Sequence, residues 1–286
     1  MKNLTVNISK KYDVVLGYSL LDSTINYIKE IVSGKKLAII TDDIVDNLYS
    51  DKIDKNLKKN NFEISKFVFR NGESSKNINT LSDILEFLAE CNFKRNDIII
   101  ALGGGVVGDI TGLAASLYMR GIKFIQIPTT LLAMVDASIG GKTAIDLKNG
   151  KNLAGAFWQP SLVICDCEII RNLPDRLFAE GMAEVIKCGA IRKTEIIDYV
   201  LNNRVKEYLE EIIEACISLK RDVVEADEFE TKGIRQILNV GHTVAHAIEK
   251  TSNYTVSHGL AVGTGLVIEA NIAKQIGILK DDTDII

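Results

Sequence analysis

Three histidines, three prolines and one tryptophan are all that this 286-residue sequence carries of those residue types. So little proline excludes proline-rich linkers and stalks and leaves room for long regular elements. The five cysteines, Cys91, Cys165, Cys167, Cys188 and Cys216, are odd in number and scattered, with no CxxC pair. That excludes a disulfide framework and a zinc knuckle, and reads as buried, reduced thiols. No apolar run approaches the roughly 18 residues a spanning helix needs, and the start, MKNLTVNISKKYDVVLG, has no signal-type apolar core. The expectation is a soluble, cytoplasmic protein. No long basic run exists and the net charge is −4, so neither nucleic acid nor a membrane surface is expected as partner. What is abundant is apolar residue, 47% of the chain, enough for a substantial core.

Along the first half, strand-like and helix-like segments alternate. Apolar KKLAIITDD, ISKFVF, NDIIIALGGG and KFIQIPTT are separated by NINTLSDILEFLAECN and VVGDITGLAASLYMRG, whose apolar residues recur at helical spacing. Continuous apolar strands between helices predict a mostly parallel, Rossmann-like α/β sheet covered on both faces. After Pro174 only helical patterns remain: LPDRLFAEGMAEVIKCGAI, IIDYVLNNRVKEYLEEIIEACISLKRDVVEADE, GIRQILNVGHTVAHAIEKT and HGLAVGTGLVIEANIAKQIGI. Two domains are expected, an α/β domain over 1–170 and an all-α domain over 171–286.

Gly103-x-Gly105-x-x-Gly108 follows an apolar strand and opens a helix. That is the placement of a dinucleotide-binding loop, where glycines let backbone N–H groups approach a pyrophosphate. A plain tight turn remains the alternative. Asp42, ending the strand KLAIIT, suits an adenosine ribose and disfavours a 2′-phosphate, or else caps a helix. A second segment, IPTTLLAMVDASIGGKTAIDLKNGKNLAG, sets Thr129, Thr130, Asp136, Ser138, Lys142, Lys151 and Asn152 among glycines. It reads as an ordered loop suited to a phosphate or polyhydroxy ligand, or as a solvated loop.

All three histidines fall between His242 and His258. His242 and His246 share a helix face at i, i+4. His258 follows Ser257, a residue type that caps helices, and so opens the next helix, whose dipole would keep its ring neutral. Spacing alone suggests three imidazole ligands to one zinc. Glu184 and Lys187 lie three apart on a helix, as an exposed ion pair or as part of a site. Arg235 and Asn239 precede His242 on what reads as the same helix, in one pocket or on a solvated face.

GESSK at 72–76, GGGVVGDITGLAASLYMRGIKFIQIPTTLLAMVDASIGGKTAID, KNLAGAFWQP, LFAEGMAEVIKCG, NVGHTVAHAIE and SHGLAVG together resemble the 3-dehydroquinate synthases, members of the sugar phosphate cyclases. The resemblance runs from about residue 40 to 270. It implies a lyase of the shikimate pathway that uses NAD and zinc, or cobalt in its place. Such an enzyme converts 3-deoxy-D-arabino-heptulosonate 7-phosphate to 3-dehydroquinate and phosphate. The implied course is transient oxidation at C5, phosphate elimination, return of the hydride and intramolecular aldol closure. Carried over residue by residue, it implies Glu184, His242 and His258 as metal ligands, with His246 a proton-handling non-ligand. It implies Asp136, Lys142, Asn152, Lys187, Lys220, Arg235 and Asn239 as substrate contacts, with Lys142, Asn152 and Arg235 near the phosphate. NAD contacts are implied at Asp42, Glu73, Lys76, Gly104, Gly105, Val106, Asp109, Thr129, Thr130, Lys142 and Lys151. Arg120 is implied to reach a neighbouring subunit's phosphate site, hence a homodimer.

Two departures from the pattern stand out. DEFETKGIR is one residue longer than the family's run, which loosens the assignment of Lys220. The family's chains also continue, with a late substrate-binding lysine, beyond the KDDTDII that ends this sequence, so a shortened helical domain is expected. The alternatives are another sugar phosphate cyclase, a metal-dependent polyol dehydrogenase, or an inactive NAD-binding fragment.

Overall fold

The computed structural model describes residues 1–279; the last seven residues of the expected helical domain lie outside the described residues. The chain divides into two compact units, Met1–Asn172 and Leu173–Ile286. No helix among the described residues is long and apolar enough to cross a membrane.

In the first unit the elements are β1 (Lys2–Val6), β2 (Tyr12–Gly17), α1 (Thr24–Ile28), β3 (Lys36–Asp42), α2 (Asp43–Val45), α3 (Asp51–Lys58), β4 (Glu63–Phe69), α4 (Ile78–Glu90), β5 (Ile98–Gly103), α5 (Gly105–Leu117), β6 (Lys123–Pro128), β7 (Lys142–Leu147), β8 (Gly150–Phe157), β9 (Leu162–Asp166) and α6 (Cys167–Arg171). Seven strands form one sheet in the order β1-β2-β9-β6-β5-β3-β4. Only β1 pairs antiparallel. Every residue of β5 and β9 is buried, as the continuous apolar runs require of strands covered on both faces. The β3–β4 step runs outward and the chain then returns to place β5 on the inner side of β3. That reversal is the switch point where open α/β sheets bind ligands beyond their strand ends. Thr41 pairs with Leu102 and Gly103 with Pro128, so Asp42, the glycine loop and Thr129 emerge side by side.

The segment expected as a loop is more regular than its composition suggested. It contains a wide helical turn, Ala133–Ala137, and an antiparallel hairpin of β7 and β8 with an irregularity between Ile145 and Leu147. It lies close on α5 because that helix offers Gly112 at the contact, and its own two strands close tightly at Gly155. A Cβ on Gly112 of α5 would sit 2.4 Å from Thr143 Cγ2, and one on Gly155 would sit 2.1 Å from the Thr143 carbonyl.

The second unit contains α7 (Asp175–Ile191), α8 (Thr194–Leu201), α9 (Leu209–Ala226), α10 (His242–Thr251) and α11 (His258–Gln275), with no strand among its described residues. Two long helical readings are corrected here. The stretch 196–228 is two helices, α8 and α9, parted where Asn203 takes φ +54°, a left-handed conformation asparagine tolerates. The stretch 233–251 is a short 3₁₀ turn, Ile234–Asn239, followed after a break by α10, because Gly241 adopts φ +80°. Arg235 and Asn239 are therefore not on the helix of His242.

Helices α7, α10 and α11 pack through small residues around Ala183, Ala245, Ala261, Val262 and Leu266. The approach leaves no room for side chains at two points on α11. A Cβ at Gly259 would lie 2.1 Å from the Glu180 carbonyl of α7, and one at Gly265 would lie 2.0 Å from the Gly241 carbonyl. Gly259→Ala should therefore lower the stability of this unit by about 1–3 kcal/mol, as overpacking does, measured as a shift in denaturant midpoint.

Candidate active site and metal centre

At the switch point of the first unit, the glycine loop leads into α5 with Gly104 as its N-cap and no side-chain cap. Its first-turn N–H groups and the positive end of the dipole thus face outward, as an anion site needs. Thr129 N–H donates to the Gly103 carbonyl at 2.9 Å. Thr129 Oγ1 is buried without a hydrogen-bond partner, and Thr130 Oγ1 accepts from Ala133 N–H at 3.2 Å. Asp42 is buried, and its Oδ1 accepts from the N–H groups of Ile44 and Val45 at 3.0 and 2.9 Å. The capping alternative raised from the sequence is thus realised at one oxygen.

Beside this edge lies a polar cluster. Lys76 Nζ is 2.5 Å from Asp109 Oδ2 and donates to Asn152 Oδ1 at 2.6 Å. Burial works to lower the Lys76 pKa, but the carboxylates of Asp109, Glu73 and Asp146 outweigh it and hold the ammonium above its usual range. Lys151 Nζ lies 3.8 Å from Glu73 Oε1. Asp146 ties the cluster to the hairpin. Its N–H donates to the Lys76 carbonyl at 2.8 Å, and its Oδ1 accepts from Asn152 N–H at 2.8 Å, holding Asn152, near the start of β8, in its left-handed conformation, φ +57°. Asp146 sits inside the conspicuous KTAID run, yet nothing in the run distinguished it as a bracing residue. Lys142 is exposed at the start of β7, Asp136 is half-buried on the helical turn, and Val106 is half-buried in the first turn of α5. Arg120 is exposed in a turn where Met119, Arg120 and Gly121 all have positive φ.

The second unit gathers the histidines. Glu184, on α7, is fully buried, with Lys187 in direct ionic contact one turn on; the exposed-pair alternative does not hold. His242 is the first residue of α10 and His258 the first of α11. Their Nε2 atoms lie 3.7 and 3.5 Å from Glu184 Oε1. One donor atom from each of the three lies within 4.8 Å of the others. Two imidazole nitrogens and a carboxylate oxygen are the donor set of a divalent ion of borderline softness such as zinc or cobalt. Each ring is oriented from behind: His242 Nδ1 faces the Val240 carbonyl at 3.1 Å and His258 Nδ1 faces Glu249 Oε2 at 3.5 Å. His246 is exposed one turn beyond His242, ring centroids 5.6 Å apart, and is not one of the converging donors.

The electrostatics depart from the dipole argument. Burial lowers the His258 pKa, but hydrogen bonds to Glu184 and Glu249 prevail and raise it to about 9. Neighbouring carboxylates therefore override the helix N-terminus. His242 behaves oppositely: burial, then the charge of Lys187, push its pKa down. The buried Cys165 thiol is pushed up by burial and stays protonated.

Lys220 on α9 and Arg235 are both buried, and Asn239 is exposed. Arg235 Nη1 donates to the Glu228 carbonyl at 2.9 Å. The loop before it, which holds the extra residue of DEFETKGIR, closes on Asp227. Its Oδ1 accepts from Thr231 and Lys232 N–H at 2.9 and 3.1 Å, and its Oδ2 from Ile234 N–H at 3.1 Å. No spacing rule signalled that role.

Residues 66–180 match the family described as 3-dehydroquinate synthase N-terminal, and residues 181–285 match 3-dehydroquinate synthase C-terminal. The chain belongs to the 3-dehydroquinate synthase family. A 3-dehydroquinate synthase of Clostridium acetobutylicum is 43% identical over 289 residues, covering 99% of this chain and 81% of that protein. Among solved structures, 2-deoxy-scyllo-inosose synthase complexed with carbaglucose-6-phosphate, NAD+ and Co2+ matches with a TM-score of 0.89 and 28% identity. That match covers 97% of this chain and 78% of the other. The 2-epi-5-epi-valiolone synthase of Streptomyces hygroscopicus, with NAD+ and Zn2+ bound, matches at a TM-score of 0.86 and 26% identity, over 96% of this chain and 77% of the other.

Burial works to raise the Asp227 pKa, but backbone N–H groups of Lys232, Thr231, Arg235 and Ile234 prevail and lower it. A depressed folded pKa stabilises above the unfolded value, about 3.9, and that contribution is lost as pH falls through the folded value. Asp227→Asn should be less stable than the parent at pH 7, and the gap should close as pH falls below about 4, read from denaturant midpoints at both pH values.

Proposed function

We propose that the protein is a 3-dehydroquinate synthase, converting 3-deoxy-D-arabino-heptulosonate 7-phosphate to 3-dehydroquinate and phosphate. The observation that carries the reading is the convergence of Glu184, His242 and His258 donors beside the buried Lys187 in a chain of this family. These three residues would hold zinc or cobalt, and the fit rests on their donor chemistry. Asp42, Glu73, Lys76, Gly104, Gly105, Val106, Asp109, Thr129, Thr130, Lys142 and Lys151 would hold NAD. There the fit rests on the uncapped α5 N-terminus and the orphaned Thr129 hydroxyl. When bound, NAD+ accepts and returns the hydride and the divalent ion polarises substrate oxygens.

The chain's own part is binding, orientation and proton handling. In the first unit, Lys142 and Asn152 present a cation and an amide to the substrate phosphate, and Asp136 accepts from substrate hydroxyls. The brace of Asp146 on Asn152 keeps that amide in register with Lys76. In the second unit, Arg235 presents a guanidinium to an anionic group, its loop already organised by Asp227. Lys187, held by Glu184, and Lys220 offer buried ammonium donors, and Asn239 an exposed amide. His246, outside the metal-donor set, is free to exchange a proton with substrate at its imidazole nitrogens. With fixed cations around the phosphate, its oxygens can take the C6 proton, which spares the protein a strong base. We assign the protein to the cytoplasm and infer a homodimer in which Arg120, projected by its left-handed turn, serves a neighbouring subunit's phosphate site.

Incubation with the heptulosonate phosphate, catalytic NAD+ and Zn2+ should release phosphate without net NADH. Stoichiometric NADH from a polyol would instead identify a dehydrogenase, and NAD binding without turnover a binding role. His246→Ala should lower turnover about 100-fold or more, the usual contribution of a proton-transfer group, with metal stoichiometry retained. Metal loss matching that of His242→Ala would show His246 to be a ligand.

A further inference from the structure

Helix α10 begins on one of the three converging donors, His242, and it begins badly. Its N-cap is Gly241, with φ +80° and no side chain to offer. The first-turn N–H groups of a helix need acceptors from elsewhere. Here the acceptor comes from another helix. Glu269, on α11, accepts from Gly241 N–H through Oε2 at 2.8 Å and from Val244 N–H through Oε1 at 3.1 Å. These are the N-cap and N3 amides, the two that a capping box satisfies with two local side chains. One carboxylate from a neighbouring helix serves both, and its charge sits at the positive end of the α10 dipole.

The contact is held at close range. Gly265 lies one turn before Glu269 on the same face of α11, and a Cβ there would sit 2.0 Å from the Gly241 carbonyl. A Cβ on Gly241 would in turn meet Leu266 Cγ at 2.9 Å. Immediately upstream, the Val240 carbonyl orients the His242 ring at 3.1 Å. Residues 240–244 thus form a short clamp: the amides of Gly241 and Val244 on either side of His242 are pinned to α11, and the Val240 carbonyl holds its imidazole. Helix α11 itself starts at His258.

We propose that Glu269 is a positioning residue for the metal centre: its carboxylate fixes the first turn of α10, and so the Nε2 of His242, against the helix that carries His258. Glu269 is not itself one of the converging metal donors. The proposal rests on the reading of Glu184, His242 and His258 as the metal site.

The test measures Co2+ affinity by chelator competition and the visible spectrum of bound Co2+, on the full chain without substrate or NAD. The variants are Glu269→Ala, Glu269→Gln and His242→Ala, with Ile196→Val, a buried position on α8, as a control for stability alone. Glu269→Ala removes both acceptors. Glu269→Gln keeps the length and one acceptor oxygen, so it carries the test if the alanine variant fails to fold. Both Glu269 variants should weaken Co2+ binding about tenfold or more, as loss of an outer-sphere partner does, and change the spectrum, whereas Ile196→Val should change neither. Wild-type affinity and spectrum in a folded Glu269 variant overturns the proposal, as does an equal loss in Ile196→Val. Undiminished Co2+ binding by His242→Ala overturns the metal-site reading itself, and the proposal with it.

Discussion

A carboxylate fully removed from water organises the helical unit. Burying one ionised carboxylate costs several kcal/mol unless cations and donors surround it. Glu184 is buried with Lys187 in ionic contact and two imidazoles facing one of its oxygens. To bring those imidazoles there, α10 and α11 must both start at the same place, and each must press on a neighbour closely enough to exclude side chains. The glycines at 241, 259 and 265 are the consequence. A larger residue at any of them would move a helix start, and with it a donor atom.

The same logic extends outward through backbone groups and further carboxylates. Val240 and Glu249 face the two Nδ1 atoms, so that both rings turn Nε2 toward Glu184. Glu269 holds the turn that presents His242, and Asp227 holds the loop that presents Arg235. Acids outside the converging donor set thus fix the positions of a donor histidine and of a buried guanidinium. In the first unit Asp146 plays the corresponding part, joining the Lys76 backbone to the Asn152 backbone of β8. A charged site needs many such braces, because a displacement of about 1 Å at a binding or reacting group costs much of its effect.

The α/β character was legible because β3, β5 and β6 are buried along almost their whole length and therefore carry long apolar runs. The glycine loop was legible because a tight strand-to-helix turn tolerates little else. The hairpin of β7 and β8 was not, because its strands mix polar, small and apolar residues, with Leu147, Leu153 and Phe157 exposed, and show no clean alternation. The break at Gly241 was hidden by apolar spacing that continues across it. The converging donor set was half legible. The histidines drew attention by their scarcity elsewhere, but their spacing pointed to three imidazoles, and Glu184 entered only through the family's motif.

Composition and local pattern determined on their own where strands and helices alternate, which loops lack side chains, and that all three histidines crowd between His242 and His258. Those properties follow from periodicity and side-chain size, which are written residue by residue. Which donors converge, which acids serve as braces, and in which direction the His242 and His258 pKa values are displaced were decided only by the tertiary structure. His258 is the plainest instance: its helix start favours a neutral ring, and two carboxylates brought from α7 and α10 reverse that preference. Coulombic and hydrogen-bond energies depend on distances between residues far apart in the chain, and those distances exist only once the helices have packed.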